Sequence, residues 1–200
     1  MAVDFLYPPL FNAFTGLQPM TTKLIAAALI GLSLTACSTY TTPRYSINAD
    51  TNVALKALGA TNIAVGEFTG PKSFDTACRA AGPLAPPDGM THISYVKKAL
   101  EDELKVAGAY AAATPSFTLT GDITKLEFSS SVGLLNGRWD ISMAITSSNG
   151  KTMNASEHYE FKSGFDALTA CRQTAEAYLP AVQNLIGKAV KSPKFKALVN

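Results

Sequence analysis

The feature that most constrains the fold is a change in the spacing of apolar residues along the chain. Between residues 92 and 107 they recur at intervals of three and four, in a stripe from Ile93 to Ala107. From Phe117 onward they recur at intervals of two. The first spacing is typical of a helix with one buried side, and the second of a strand with one buried face. The chain therefore combines helices with a half-buried sheet.

The strand-like spacing recurs in three segments. In the first, residues 117–128, the alternation slips near Thr124 and Lys125, which predicts a β-bulge. The second begins near Trp139, and Asn149-Gly150 predicts a tight hairpin turn to the third, residues 153–161. These segments predict an antiparallel meander, and residues 62–68 predict an earlier strand.

The helical segments have recognisable ends. A short helix is predicted from Asp50 or Thr51 to Gly59, and a second from Thr91 or His92 to Ala107, with Gly108 as its stop. A last helix begins near Asp166; Pro180 predicts a kink or a split, and Pro193 predicts the end. The order is strand, helix, three-strand meander, helix. It predicts an α+β fold with a mainly antiparallel sheet and helices packed on one face.

The segment at residues 23–37 has the pattern of an export signal. One lysine precedes an apolar run, and small residues lead to Cys37. The run is shorter than the roughly 20 apolar residues of a spanning helix, although a buried helix or a membrane anchor remains an alternative. The sequence LTAC at residues 34–37 resembles the lipobox of bacterial lipoproteins. That resemblance implies that the Cys37 sulfur receives diacylglycerol and that cleavage before Cys37 leaves this residue as an acylated N-terminus, with palmitate as the expected fatty acid.

This resemblance divides the chain. Residues 1–36 are expected to be an N-terminal extension and signal peptide, with the true start at Met20 because residues 1–19 lack the short basic character of a signal. Residues 37–46 are expected to be a lipidated tether, and residues 47–200 a single α+β domain. Ser38 occupies the position where an inner-membrane retention signal places Asp. The resemblance therefore implies an outer-membrane anchor, with the domain in the periplasm or at the cell surface.

Two cysteines remain once Cys37 is assigned to the lipid. Cys78 and Cys171 would lie in an oxidising compartment, so we predict a disulfide between them. Closing a loop of nearly a hundred residues would stabilise the fold by about 4 to 5 kcal/mol in the chain-entropy model. Two buried free thiols are the alternative.

The segment at residues 69–89 is long, irregular and rich in Gly-Pro and Pro-Pro turns. Loops of this length are uncommon unless they are functional or tied down, and Cys78 lies in its middle. We therefore consider Phe74, Arg79 and Leu84 as candidate residues of a partner-binding surface, with a purely structural role as the alternative.

Catalytic and metal-binding patterns are weak. His92 and His158 have no partners at metal-ligand or triad spacing; we expect His92 to be a solvated first-turn residue and His158 to lie on the polar face of the last strand. The acidic residues 101–103 are expected to form a solvated helix face. We therefore predict no enzyme activity, no metal and no cofactor.

The formal net charge of +2 gives no reason to expect nucleic acid as a partner. Lysines at the C-terminal end suggest contact with anionic lipid or simple helix-end placement.

The element order is similar to that of small Gram-negative envelope lipoproteins, including the auxiliary lipoproteins of ABC-type lipid transport systems. The patch YVKKAL at residues 95–100, with EL at 103–104, carries this likeness. The segments CRAAGP at 78–83 and WDI at 139–141 resemble a group of uncharacterised bacterial lipoproteins. The resemblance implies a non-enzymatic binding or accessory module in envelope assembly or transport, with an envelope protein or lipid as partner. The alternatives are a carrier of a small apolar ligand or lipid and, third, an envelope hydrolase.

Overall fold

The computed structural model describes residues 38–200, which contain seven strands and four helices. The strands are β1 (Tyr40–Thr41), β2 (Ile63–Thr69), β3 (Ala77–Cys78), β4 (Gly82–Ala85), β5 (Phe117–Val132), β6 (Asn136–Ser147) and β7 (Thr152–Lys162). The helices are α1 (Ala49–Leu58), α2 (His92–Ala107), α3 (Ala167–Lys191) and α4 (Pro193–Leu198). The predicted α+β class is confirmed.

The main sheet has the strand order β2-β5-β6-β7. Strands β5, β6 and β7 are antiparallel neighbours, as the meander prediction requires. The turn between β6 and β7 contains Gly150 at φ 81°, a conformation that glycine adopts without steric cost. Strand β2 instead pairs in parallel with β5, because the chain crosses over through α2 between them. Only the mainly antiparallel character was predicted.

The β-bulge predicted in β5 is present. The register with β6 shifts between Ile123, which pairs with Met143, and Lys125, which pairs with Ser142. Beyond this point Leu126 rather than an odd-numbered residue is the next buried side chain. The extra residue therefore reverses which backbone positions face β6, a change that shapes the site described below.

Helix α2 has the predicted ends. Thr91 caps its N-terminus in a reciprocal arrangement with Ser94, and Gly108 at φ 76° ends it in the left-handed conformation. Helix α3 remains one helix through Pro180, so the predicted split does not occur. It ends at Lys191, and Ser192 then caps the short helix α4, whose first residue is Pro193.

The helices cover one face of the main sheet. Trp139 on β6 is fully buried there, and its Nε1–H donates to the Thr174 carbonyl of α3 at 2.9 Å. Tyr178 of α3 donates its hydroxyl hydrogen to the His92 carbonyl of α2, also at 2.9 Å. These bonds satisfy the polar ends of two large core side chains, which burial otherwise makes costly. The opposite face of the sheet carries polar and exposed side chains.

A second, small sheet has the order β1-β4-β3 and was not predicted. Tyr40 and Thr41 pair in parallel with Leu84 and Ala85. Part of the segment expected to be a tether is therefore a strand that contacts the domain. The domain boundaries themselves remain predictions.

The predicted signal segment, the start at Met20 and the lipidated Cys37 lie outside the described residues. Within residues 38–200, no helix has the length and hydropathy needed to cross a bilayer. In the same range, no group of three His, Cys, Asp or Glu side chains is placed to hold a metal ion.

Candidate functional site

The connection between β2 and α2 is the longest irregular segment of the domain, and we call residues 70–91 the cross-linked loop. It contains β3, β4 and a disulfide between Cys78 and Cys171, whose Cα atoms are 5.8 Å apart. The predicted disulfide is thus confirmed. It fastens the middle of the loop to the first turns of α3 and gives the irregular segment a fixed position over the sheet.

Arg79 fixes the same loop a second time. Its Nε–H donates to Ser130 Oγ at 2.9 Å, and its guanidinium also donates to the carbonyls of Ser130 and Phe165, the latter at 2.9 Å. Arg79 and Ala80 have φ values of 45° and 53°, a left-handed conformation that is unfavourable for residues other than glycine. The disulfide and the arginine hydrogen bonds together hold this strained turn in place.

The loop and β5 enclose an open groove of about 580 Å³. One wall consists of consecutive β5 residues from Thr124 to Ser130, and the other of loop residues between Pro71 and Arg79. The floor is partly aromatic, since the rings of Phe74 and Phe128 lie 6.0 Å apart, edge to face. The candidate residues Phe74 and Arg79 both line this groove.

A second cavity of about 290 Å³ lies on the other side of Phe74. Its lining is almost entirely apolar and is supplied by the loop, the start of α2 and β5: Phe74, Thr76, Leu84, Ala85, Pro86, Met90, Thr91, His92, Ile93 and Leu126. The candidate residue Leu84 is 2% exposed and belongs to this lining and to the core. The structure therefore brings Phe74 and Leu84 to one cavity, and Phe74 and Arg79 to the neighbouring groove.

The expectation of a solvated His92 is wrong. The side chain is 5% exposed, and the rings of Phe74 and Tyr178 contact it at centroid distances of 4.8 and 4.9 Å. Burial lowers the pKa of His92 to about 4, so the imidazole is neutral near pH 7. Its Nε2 has no hydrogen-bond partner among the described residues. The loop folds over the first turn of α2, which the cap at Thr91 alone does not reveal.

The expected solvated face at residues 101–103 is also only partly correct. Glu101 and Asp102 form ion pairs with Lys105 and Lys98, but Glu103 is fully buried. Its Oε1 accepts from the Tyr45 hydroxyl at 2.8 Å and from the Asn48 backbone N–H at 2.7 Å. Burial raises the pKa of Glu103. This residue ties the segment before α1 to α2.

The other histidine lies on the open face of the sheet, as expected. His158 Nδ1 is 2.6 Å from Asp140 Oδ1, and Arg138 Nε–H donates to Asp140 Oδ2 at 2.8 Å. The hydrogen bond with Asp140 raises the pKa of His158. The pKa of Asp140 is lowered: its partial burial opposes this shift, but the hydrogen bonds from His158 and Arg138 outweigh burial. An envelope hydrolase would need a polar cluster around His158 or Cys171. Cys171 is occupied by the disulfide, whereas His158 has Asp140 and Glu160 beside it.

Two of the C-terminal lysines have acidic neighbours. Lys188 Nζ lies 2.5 Å from Glu157 Oε2, a buried carboxylate that projects from β7 toward α3. Lys191 Nζ lies 3.9 Å from Asp50 Oδ2 at the start of α1. Lys188 therefore contributes to a contact inside the domain, while the Lys191 pair is exposed to solvent, and for these two lysines helix-end placement is supported.

Comparison with solved protein structures finds several matches at low sequence identity. A Xanthomonas campestris protein of the family DUF330 matches with a TM-score of 0.47 and 12% identity over 76% of this chain and 95% of its own. An uncharacterized protein matches with a TM-score of 0.43 and 12% identity over 74% and 97% of the two chains. A candidate lipoprotein from Caulobacter crescentus CB15 matches with a TM-score of 0.37 and 12% identity over 71% and 90%.

No protein-family model matches the chain, and no curated protein matches it. With 12% identity and TM-scores below 0.5, the structural similarities assign neither a family nor a function.

Proposed function

We propose that the chain is a lipid-anchored lipoprotein of the bacterial envelope and that its domain is a non-enzymatic binding or accessory module in envelope assembly or transport. The lipobox-like sequence at residues 34–37 supports the anchor on Cys37. Ser38 after this cysteine supports the outer membrane as its location, with the domain in the periplasm or at the surface.

One observation carries the binding role. The cross-linked loop is held over the sheet by a disulfide and by Arg79, yet it leaves a groove of about 580 Å³ along β5. A loop fixed on a rigid sheet is pre-organised, so little conformational entropy is lost when a partner binds. The disulfide and Arg79 thus support a fixed shape for the groove surface, in addition to stabilising the domain.

The anchor is tested by labelling cells with a palmitate analogue and separating the membranes. The wild-type protein is expected to incorporate the label and to fractionate with the outer membrane, whereas Cys37→Ala incorporates none. Ser38→Ala is the matched control and keeps both properties, while Ser38→Asp keeps the label but moves to the inner membrane. Incorporation by Cys37→Ala at the wild-type level contradicts the proposed anchor.

The binding role is tested by site-specific photo-crosslinking in intact cells. A benzophenone amino acid at Ser73, an exposed residue of the groove wall, is expected to give a discrete crosslinked product. The same amino acid at Ser156, which is exposed on the open face of the sheet, is the control. No product from Ser73, or the same products from both sites, contradicts the proposal.

A second candidate function is a carrier of a small apolar ligand or lipid, and the cavity of about 290 Å³ favours it. This volume is near the lower end for ligand pockets, whose linings are typically apolar with a few polar groups. The Nε2 of the buried His92, which has no hydrogen-bond partner within residues 38–200, is one such group.

Native mass spectrometry of the protein released gently from cells tests this second role. A bound small molecule is expected for the wild type, and Met90→Trp, which fills the cavity, is expected to lose it. Val53→Trp on the exposed surface of α1 is the control. Wild-type protein that carries no noncovalently bound molecule contradicts the carrier role and leaves the groove proposal unaffected.

A further inference from the structure

One edge of β5 is only half paired. Strand β2 pairs with residues 117–122 of β5, but β5 continues to Val132. Among residues 38–200, the part beyond Asp122 has β6 on one side and no neighbouring strand on the other. Within the described residues, no backbone hydrogen bond joins the cross-linked loop to residues 124–129. The groove therefore runs along a strand edge whose backbone groups lack strand partners.

The hydrogen-bond register identifies which backbone groups face the groove. The Ser148 N–H donates to the Thr118 carbonyl on the β6 side, whereas the Phe117 N–H donates to Asn62 on the β2 side. Before the bulge, the backbone N–H and C=O groups of even-numbered residues therefore point toward β6. The bulge at Thr124 reverses this alternation. Beyond it, Leu126 and Phe128 direct their N–H and C=O groups toward the groove.

The loop itself supports this orientation. The next residue with the same parity is Ser130, and its carbonyl accepts a hydrogen bond from the Arg79 guanidinium of the opposite wall. The Ser163 hydroxyl donates to the same carbonyl at 2.6 Å, so Arg79 and Ser163 together satisfy it, and Arg79 lines this end of the groove. The edge between Thr124 and Ser129 remains open.

We propose that this groove binds an extended peptide segment of a partner protein, which adds to the main sheet as a strand beside residues 124–129 of β5. This inference rests on the proposed binding function and names the kind of partner. The Leu126 and Phe128 backbone groups supply the main-chain hydrogen bonds of such strand addition, a recognition mode in which backbone pairing gives affinity and side-chain pockets give specificity.

The geometry favours one strand over a second copy of the chain. Loop residues from Pro71 to Arg79 form a wall opposite the edge, so two β5 edges from two copies meet only if both loops move away. A single extended segment needs only the space between the loop and the β5 edge.

The groove walls define the side-chain pattern of the segment. Leu126 and Phe128 lie on the inner side with Phe74, which offers an apolar surface. Lys125 and Glu127 lie on the outer side, where their side chains are 45% and 60% exposed. Lys125 Nζ is 3.4 Å from Glu127 Oε2. Because successive side chains of a strand alternate in direction, the segment presents apolar residues inward and polar residues outward. Asp75, Lys125 and Glu127 have mixed charge, so binding is expected to depend weakly on salt.

The test uses the full mature chain from Cys37 in detergent and a displayed library of random twelve-residue peptides as probe. Enriched peptides are expected to alternate apolar and polar residues and to lack internal proline. On binding, the Leu126 and Phe128 amides are expected to gain protection from hydrogen exchange. Methylation of the peptide nitrogens on the side facing β5 is expected to weaken binding at least tenfold, while methylation at the alternate positions has less effect.

A pair of tryptophan variants locates the site. Ala77→Trp, at an exposed position of the groove wall, is expected to weaken peptide binding at least tenfold. Ala57→Trp, at an exposed position of α1, is the matched control and leaves binding unchanged. Circular dichroism and the thermal midpoint establish that both variants fold.

Several results overturn strand addition. These are an unselective library, binding without added protection at Leu126 and Phe128, equal effects of methylation at both sets of nitrogens, or binding unaffected by Ala77→Trp. Any of these together with a crosslinked product from Ser73 in cells rejects the strand mode while the proposed binding function stands. Loss of both the crosslink and the peptide binding rejects the two together.

Discussion

One histidine lies on each side of the main sheet. The two side chains differ in burial, in neighbouring charges and in hydrogen bonding, the three factors that set a pKa. His92 lies beneath the cross-linked loop among aromatic rings, where burial lowers its pKa to about 4. His158 lies on the open face beside Asp140, which raises its pKa. The comparison shows that the side of the sheet covered by the helices and the cross-linked loop buries its histidine, while the other side is a solvated surface with exposed ion pairs.

The largest expected effect comes from releasing the loop. Relative to the oxidised wild type, the double variant Cys78→Ser/Cys171→Ser is expected to lose about 4 kcal/mol of unfolding free energy, because the unfolded chain regains the entropy of a long loop. Urea unfolding followed by circular dichroism measures the loss. His158→Ala on the open face is the control. Equal urea midpoints for the oxidised wild type and the double variant would show that fastening the loop by the disulfide contributes little to the burial of this side of the sheet.

The second expected effect is a pH dependence due to His92. Its folded-state pKa lies below the unfolded value of about 6.5. The stabilisation by neutral His92 is therefore fully present above about pH 6.5 and is lost as the pH falls toward about 4, a decrease of about 3 kcal/mol. The difference in unfolding free energy between the wild type and His92→Phe, measured across this range, isolates the histidine from the carboxylates. If this difference in unfolding free energy did not change with pH, burial beneath the loop would not lower the pKa of His92.

The smallest expected effect concerns His158 and has the opposite sign. Its folded-state pKa lies above the unfolded value. Its contribution is therefore fully present below about pH 6.5 and is lost as the pH rises through the folded-state pKa. Nuclear magnetic resonance titration is expected to give a pKa above 6.5 for the wild type and a lower one for Asp140→Asn. An unchanged pKa in Asp140→Asn would indicate that solvent fully screens this ion pair.

The sequence predicts the elements whose signals are local. Helix α2 was bounded by Thr91 and Gly108, the hairpin by Asn149-Gly150 and the bulge by a slip in alternation, and each is found at the predicted place. The disulfide followed from compartment and cysteine number, which do not depend on knowing the fold.

What the sequence did not predict depends on contacts between distant segments. The environment of His92 is set by a loop that folds over the helix start, and Glu103 is buried because residues 45–48 reach across to it. The small sheet forms from strands of two to four residues, which are too short to show periodicity. The groove likewise arises because β5 extends beyond the end of its parallel neighbour β2. This depends on the register of the two strands and not on composition.

The pairing of β1 with β4 has a mechanical consequence. Any pull on the chain before Tyr40 is applied first to the parallel contact between Tyr40–Thr41 and β4. Strand β4 is hydrogen-bonded to β3, and β3 ends at Cys78, which is covalently joined to α3 through Cys171. The first resistance to such a pull therefore comes from the hydrogen bonds of a small sheet braced by the disulfide, and not from the β2 edge of the main sheet.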